Sequence, residues 1–220
     1  MTRRSLIAPT AVIFDFDLTL VDSRPGFLVS HRHATAQLGL PEPSAEAIGR
    51  SIGTPIEKIL PGWYPDMTAD RTAEYIRVYR AKAGEVMADL TQVLPGARET
   101  LATLHEAGLQ LALVSQKLRD LIEAVLEREE MHFDVVLGGQ DVPDFKPDPS
   151  GLQLAMQKLG VEPDDAIYVG DTTIDAEAAT NAGLRFVGVL SGVTSREEFA
   201  PYASIALLES ASELPAFLGL

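Results

Sequence analysis

At 220 residues, with 46% hydrophobic and 23% charged side chains, the chain is long enough for one ample core or for a core with a smaller inserted unit. It has no cysteine, which excludes disulfides, thiolate metal sites and cysteine nucleophiles. A formal net charge of -14 argues against nucleic acid and anionic membrane surfaces as partners, because both attract Lys and Arg.

In chain order, Arg3 and Arg4 precede the apolar Leu6, Ile7 and Ala8, but Pro9 and Thr10 interrupt the run and no signal-peptide core forms. No stretch of about 18 apolar residues occurs, so no spanning helix is expected and the chain reads as cytoplasmic. Residues 11–14 form a short apolar run that stops at Asp15, as in a buried strand with polar residues at its carboxyl end. From about residue 22 to about residue 92 the spacing is helical and no strand is convincing. Phe27, His31, Ala34 and Leu38 share a face ahead of Gly39. Thr54-Pro55-Ile56-Glu57 reads as a capping box with Pro at the first helical position. Thr68 caps a longer helix with Ile76, Tyr79, Ala83 and Val86 on one side.

Leu94-Pro95-Gly96 is turn-like, and alternation begins beyond it. Apolar runs at 109–114, 133–137, 166–169 and 184–189 are separated by helical faces. These are Ala97, Leu101 and Leu104, then Leu121, Ile122, Val125 and Leu126, then Leu152, Ala155, Met156 and Leu159. Ser195 and Glu198 make a second capping box, 205–208 an edge strand and 210–218 a closing helix. This alternation predicts an α/β fold, a Rossmann-like, doubly wound parallel sheet. The division expected is a catalytic core of residues 1–21 and 93–220, with an inserted α-helical cap domain at 22–92. Ligands of such sheets bind beyond the carboxyl ends of the strands.

Four polar clusters fall at those ends. The first is Asp15-Phe16-Asp17-Leu18-Thr19. Two carboxylates two residues apart project near one another if the chain stays extended, so one can attack phosphorus while the other moves a proton. Both would repel an anionic substrate unless a hard cation such as Mg2+ intervenes. The second is Ser115, whose hydroxyl with the backbone N–H of Gln116 can cradle an anion. The third is Lys146, on a loop stiffened by Pro147 and Pro149, a fixed charge for phosphate. In the fourth, Gly170-Asp171-Thr172-Thr173-Ile174-Asp175, Asp171 suits a metal and Asp175 can hold metal-bound water or Lys146. Singly these are also a solvated acidic turn, a helix cap, a loop lysine and an acidic helix start. Their joint placement on one sheet edge is what points to a site.

In order and in flanking sequence, including Ala11-Val12-Ile13-Phe14, Val21-Asp22-Ser23 and Ala178-Ala179-Thr180-Asn181-Ala182-Gly183, the clusters resemble the four motifs of the haloacid dehalogenase superfamily. Within it the chain is similar to phosphoglycolate phosphatase-like members, which carry a helical cap between the first and second motifs. The resemblance implies Asp15 as nucleophile and Asp17 as general acid/base. It also implies Mg2+ held by Asp15, the Asp17 carbonyl and Asp171 with Asp175 in support, and phosphate positioned by Thr19, Ser115, Gln116 and Lys146. Leu18 stands where many relatives have Gly, and Gln116 where Asn or Gly is frequent, but neither departure removes a reacting group. Relatives read their substrates on a loop comparable to Arg50-Ser51-Ile52-Gly53-Thr54, which singles out Arg50, Gly53 and Thr54. A free arginine on a solvated turn reads the same way without the resemblance. His31 and His33 do not share a helical face and are poor joint metal ligands.

The function expected from the resemblance is a Mg2+-dependent phosphatase acting on a small phosphorylated metabolite, 2-phosphoglycolate first, through a phosphoaspartate on Asp15. A pyrophosphatase, a sugar-phosphate mutase and a non-catalytic phosphate-binding regulator are the alternatives. The dehalogenase and phosphonate-cleaving branches lack a carboxylate at the position of Asp17. The sequence carries no signature of an oligomeric state.

Overall fold

The computed structural model describes residues 9–220, so Arg3, Arg4 and the apolar residues after them lie outside the described residues. The chain runs through β1 (Ala11–Phe14) and a brief β2 (Val21–Asp22) into four helices, α1 (Arg24–Leu38), α2 (Ala45–Ser51), α3 (Ile56–Trp63) and α4 (Ala69–Leu90). It returns through β3 (Gln92–Val93), antiparallel to β2. Alternation follows: α5 (Ala97–Glu106), β4 (Gln110–Val114), α6 (Arg119–Arg128), β5 (Val135–Leu137) and α7 (Ser150–Leu159). Then come β6 (Ala166–Gly170), α8 (Thr173–Ala182), β7 (Arg185–Val189), α9 (Arg196–Phe199), β8 (Ser204–Leu208) and α10 (Leu214–Leu218). Among the described residues, six of the strands form one parallel sheet in the order β5-β4-β1-β6-β7-β8.

β1 reads as an unbroken apolar run because the sheet is covered on both faces. Successive side chains alternate sides. Val12 and Phe14 enter a core with Leu101, Leu104, Ile122 and Val125 of α5 and α6. Ala11 and Ile13 enter the opposite core with Leu152, Ala155, Ala176 and Ala179 of α7 and α8. Each layer thus fixes β1 from one side, and the residue that follows it is held by both.

The helices between β2 and β3 have a core of their own, in which Ala34 of α1 and Leu60 of α3 meet Tyr75, Tyr79, Ala83 and Met87 of α4. The stripe on α4 differs from the expected one. Ile76 and Val86 are half-buried at its margin, while Tyr75 and Met87 take the centre. At the Met87 end α1 and α4 approach closely over Gly26, where a Cβ would lie 2.6 Å from the Met87 sulfur.

The caps expected at Thr68 and Ser195 form, with Thr68 Oγ1 accepting from the Arg71 N–H and a complete Ser195–Glu198 box. The box expected at Thr54–Glu57 does not. Pro55 occupies the N-cap position with ψ 136°, α3 begins at Ile56, and Thr54 lies outside the first turn. The expected closing helix is split, with a 3-10 turn at Ala211–Glu213 leading into α10, where Pro215 cannot donate to the preceding turn. α2, capped by Ser44 on the Ala47 N–H, was not anticipated, because seven residues give too little periodicity. Among the described residues no helix is long and apolar enough to cross a membrane.

Candidate active site

From β1 the sheet continues to β4 on one side and to β6 on the other. Connections leaving such a reversal in opposite directions open a crevice at the carboxyl ends of the strands. Asp15 follows β1 directly, and its N–H still donates to the Val169 carbonyl at 2.8 Å, so the sheet itself sets the carboxylate. The chain then turns sharply. Leu18 takes φ 63°, its N–H bonds the Val21 carbonyl, and its own carbonyl accepts from Ser191 Oγ at 2.7 Å. A left-handed non-glycine residue costs about 1–2 kcal/mol. Burying a leucine side chain contributes about 1.5–3 kcal/mol, which offsets that cost, since Leu18 is only 2% exposed.

Three strand ends supply the rest. Lys146 Nζ lies 2.6 Å from Asp15 Oδ1, 2.6 Å from Asp175 Oδ1 and 2.9 Å from the Tyr168 hydroxyl, which donates to Asp175 at 2.7 Å. The second Asp175 oxygen accepts from the Thr172 N–H and hydroxyl in the capping box that starts α8. Thr19 donates its hydroxyl to Asp171 Oδ1 at 3.1 Å, while Asp171 Oδ2 is buried without a partner. Oxygens of Asp15, Asp171 and Asp175 lie within 4.8 Å of one another. Two glycines make room for them: a Cβ on Gly170 would collide with the Asp175 carboxylate, and one on Gly192 with that of Asp171. On the other side, Lys117 Nζ meets Asp17 Oδ1 at 2.8 Å, and Ser115 Oγ accepts from the Lys117 N–H.

The buried carboxylates and ammoniums of the described residues are Asp15, Asp17, Asp171 and Asp175 against Lys117 and Lys146. Four carboxylates against two ammoniums leave a deficit of two positive charges. Burial pushes Asp15 up to about 7 despite Lys146 beside it, and burial with Asp15 as neighbour pushes Asp171 well above the carboxylate range. Burial would raise Asp175 as well, but Lys146, Thr172 and Tyr168 hold it below its ordinary value. The same carboxylates raise Lys146 against the effect of burial. A divalent cation with a preference for oxygen ligands fits this set in charge, in donor type and in the partnerless Asp171 oxygen.

A cavity of about 310 Å3 opens onto Asp15, Asp17, Ser115 and Gln116 from the side of the four helices. Gly53 and Thr54 line it. Arg50 does not, pairing instead with Glu46 and with Glu198 ahead of β8. The eight strand-end residues, Asp15, Asp17, Thr19, Ser115, Gln116, Lys146, Asp171 and Asp175, converge at one edge of the sheet. Thr19 is turned toward Asp171 rather than the cavity.

Three residues at the site have no functional role in the sequence reading: Lys117, Tyr168, and His31, which is read there as part of the buried face of the first helix. Lys117 lies two residues past the strand-end hydroxyl of Ser115, but nothing local separates it from a solvent-facing lysine. His31 Nδ1 lies 3.0 Å from the Tyr75 hydroxyl and its ring packs against Trp63 and Tyr79. Burial lowers its pKa from 6.5 to about 4. The unfolded chain therefore binds a proton that the folded one does not, and the stability His31 leaves intact above pH 6.5 is lost as pH falls toward 4. Between neutral pH and pH 4 the loss attributable to His31 is expected to be about 3 kcal/mol. Urea unfolding of the wild type and His31→Phe across that range checks it. Parallel curves for the two proteins would contradict the assignment.

The model of the haloacid dehalogenase-like hydrolase family matches residues 12–189. The chain is 33% identical over 207 residues to the pyrophosphatase PpaX of Bacillus velezensis, covering 93% of this chain and 94% of the relative. It is 31% identical over 232 residues to a phosphoglycolate phosphatase of Salmonella paratyphi A, with coverage of 95% and 92%. A crystal structure assigned as a haloacid dehalogenase-like hydrolase from Bacteroides fragilis superposes with a TM-score of 0.89 at 33% identity, covering 94% of this chain and 99% of that one.

Proposed function

The chain belongs to the haloacid dehalogenase-like hydrolases, and on that premise we propose that it is a divalent-metal-dependent phosphatase of small phosphomonoesters, with Asp15 as nucleophile. The observation that carries this reading is the buried deficit of two positive charges beside a sheet-fixed carboxylate that opens onto a cavity. Asp15, the Asp17 main-chain carbonyl and Asp171 would hold Mg2+, with Asp175 behind them. When bound, the cation offsets the repulsion between Asp15 and a phosphate dianion.

The chain's own residues then act in sequence. A carboxylate oxygen of Asp15 bonds to phosphorus while the bond to the ester oxygen breaks, and Asp17 gives the departing alkoxide a proton. Water next attacks the phosphoaspartate, Asp17 takes its proton, and inorganic phosphate leaves with Asp15 restored. Lys146, Ser115 and the Gln116 N–H stabilise the transferring group, where most phosphoryl-transfer catalysis resides. Residues 22–92 are the cap and 1–21 with 93–220 the core, and the cap excludes bulk water from the phosphoenzyme.

The test is phosphate release from phosphoglycolate, sugar phosphates, nucleotides, alkyl phosphates and pyrophosphate, with Mg2+ and with chelator. Turnover of at least one phosphomonoester that chelator removes and added Mg2+ restores is expected. Silence across the panel in Mg2+ would overturn the reading.

A further inference from the structure

We propose that the cavity above Asp15 takes an uncharged, apolar leaving group, so that arylalkyl and alkyl phosphomonoesters are turned over in preference to phosphoglycolate or pyrophosphate. This rests on the phosphatase reading and names the substrate class of the same site. The walls next to Asp15 and Asp17 are Phe27, Tyr79, Ala83, Met87, Leu118 and Leu121, a surface that gains by excluding water from a hydrocarbon or ring.

A glycolate carboxylate or a second phosphate needs a counterion at that end, and the lining cations among the described residues are already taken. Lys117 faces Asp17 at 2.8 Å and stands 4.6 Å from the centre of the Phe27 ring. Arg80 faces Glu57 at 2.8 Å. His31, with its pKa lowered to about 4, is uncharged at neutral pH. The N-terminus of α3 also borders the cavity, and its first turn carries Glu57, the partner of Arg80. Arg50, the cation expected from sequence to read the substrate, is turned away to Glu46 and Glu198.

Gln116 points the same way. Its Nε2 donates to the Lys146 carbonyl at 3.3 Å, which fixes the amide, and its buried Oε1 has no partner. Fixed in this way, the amide offers the cavity no cation to pair with a carboxylate. An anionic leaving group would therefore have to compete with Asp17 and Glu57 for the lining cations, whereas an apolar one gains from the walls directly.

The experiment compares benzyl phosphate with 2-phosphoglycolate and pyrophosphate in Mg2+. The alcohols released from the first two are of similar basicity, so the comparison reads the pocket rather than the leaving group. kcat/KM for benzyl phosphate is expected to exceed that for phosphoglycolate by at least about 100-fold. Leu121→Lys, which adds a cation to the wall, is expected to narrow the ratio by about 10-fold or more. Calorimetric titration with benzylphosphonate and phosphonoacetate reads the cavity without turnover. Tighter binding of benzylphosphonate in a protein that hydrolyses nothing would support the pocket assignment while refuting the phosphatase reading. Phosphoglycolate or pyrophosphate turned over as well as benzyl phosphate, or phosphonoacetate binding the tighter of the two analogues, would overturn the proposal.

Discussion

Asp15→Asn is expected to lower turnover by at least about 10⁴-fold while the protein stays folded, because the amide keeps the shape of the carboxylate and loses its nucleophilicity. Stability follows from the charge balance. The wild-type site holds four buried carboxylates against two ammoniums, and the substitution removes one of the carboxylates. Burial already pushes Asp15 up to about 7, so the fold gains little from its ionised form. The Lys146 ammonium keeps Asp175 at 2.6 Å as its partner. Unfolding free energy is therefore expected to stay within about 1 kcal/mol of the wild type. Urea unfolding and phosphate release measure the two halves. Asp15 is also a proposed metal ligand, and a Mg2+ titration separates the roles. Weakened binding alone would be restored by excess Mg2+, whereas a missing nucleophile would not. Recovery of more than a few per cent of wild-type turnover at saturating Mg2+ would mean that Asp15 is not the attacking group.

How far this site could be read from sequence depends on the range of the interactions that make it. Asp15, Ser115 and Asp171 were legible because a parallel strand buried on both faces is an apolar run with an abrupt end, and ligands gather at those ends. Lys117 was not legible. Its partner Asp17 is 100 residues away, and nothing in Gln116-Lys117-Leu118 distinguishes a lysine aimed at the crevice from one aimed at solvent. Tyr168 was hidden differently. It lies within the apolar run of β6, where an aromatic reads as core, yet its hydroxyl bonds both Lys146 and Asp175. β2 and β3, two residues each, are too short to show a period, although they bring together the two ends of the helical segment. Arg50 shows the limit of a local pattern. The loop reaches the cavity through Gly53 and Thr54, but Arg50 pairs with Glu46 one turn back and with Glu198, 148 positions further along the chain.

Lys146→Met is expected to be the most damaging single change to the fold that this site allows. Lys146 Nζ is the common partner of Asp15, Asp175 and Tyr168, all within 2.9 Å, and its side chain is 6% exposed. Methionine matches the length of the side chain but deepens the deficit of positive charge from two to three. Removing one partner of a buried ion pair typically costs about 3–5 kcal/mol, because the other is left uncompensated. The loss has a pH signature. Asp15 sits near 7 with Lys146 lowering it, so without the lysine its pKa must rise further. A carboxylate with a raised folded-state pKa contributes stability that is fully present below the unfolded value near 3.8 and lost as pH rises through the folded value. The variant should therefore lie closest to the wild type in mild acid and fall away from it above pH 7. Mg2+ should recover more stability in the variant than in the wild type if it binds the more negative site more tightly, since ligand stabilisation grows with affinity. Lys146→Arg should not rescue it, because a planar guanidinium cannot occupy the point between three acceptors that an ammonium fills. Urea unfolding at several pH values, with and without Mg2+, decides the matter. A methionine variant as stable as the wild type at pH 8 would show that the buried carboxylates do not depend on this lysine, and the charge balance from which the cation was inferred would have to be abandoned.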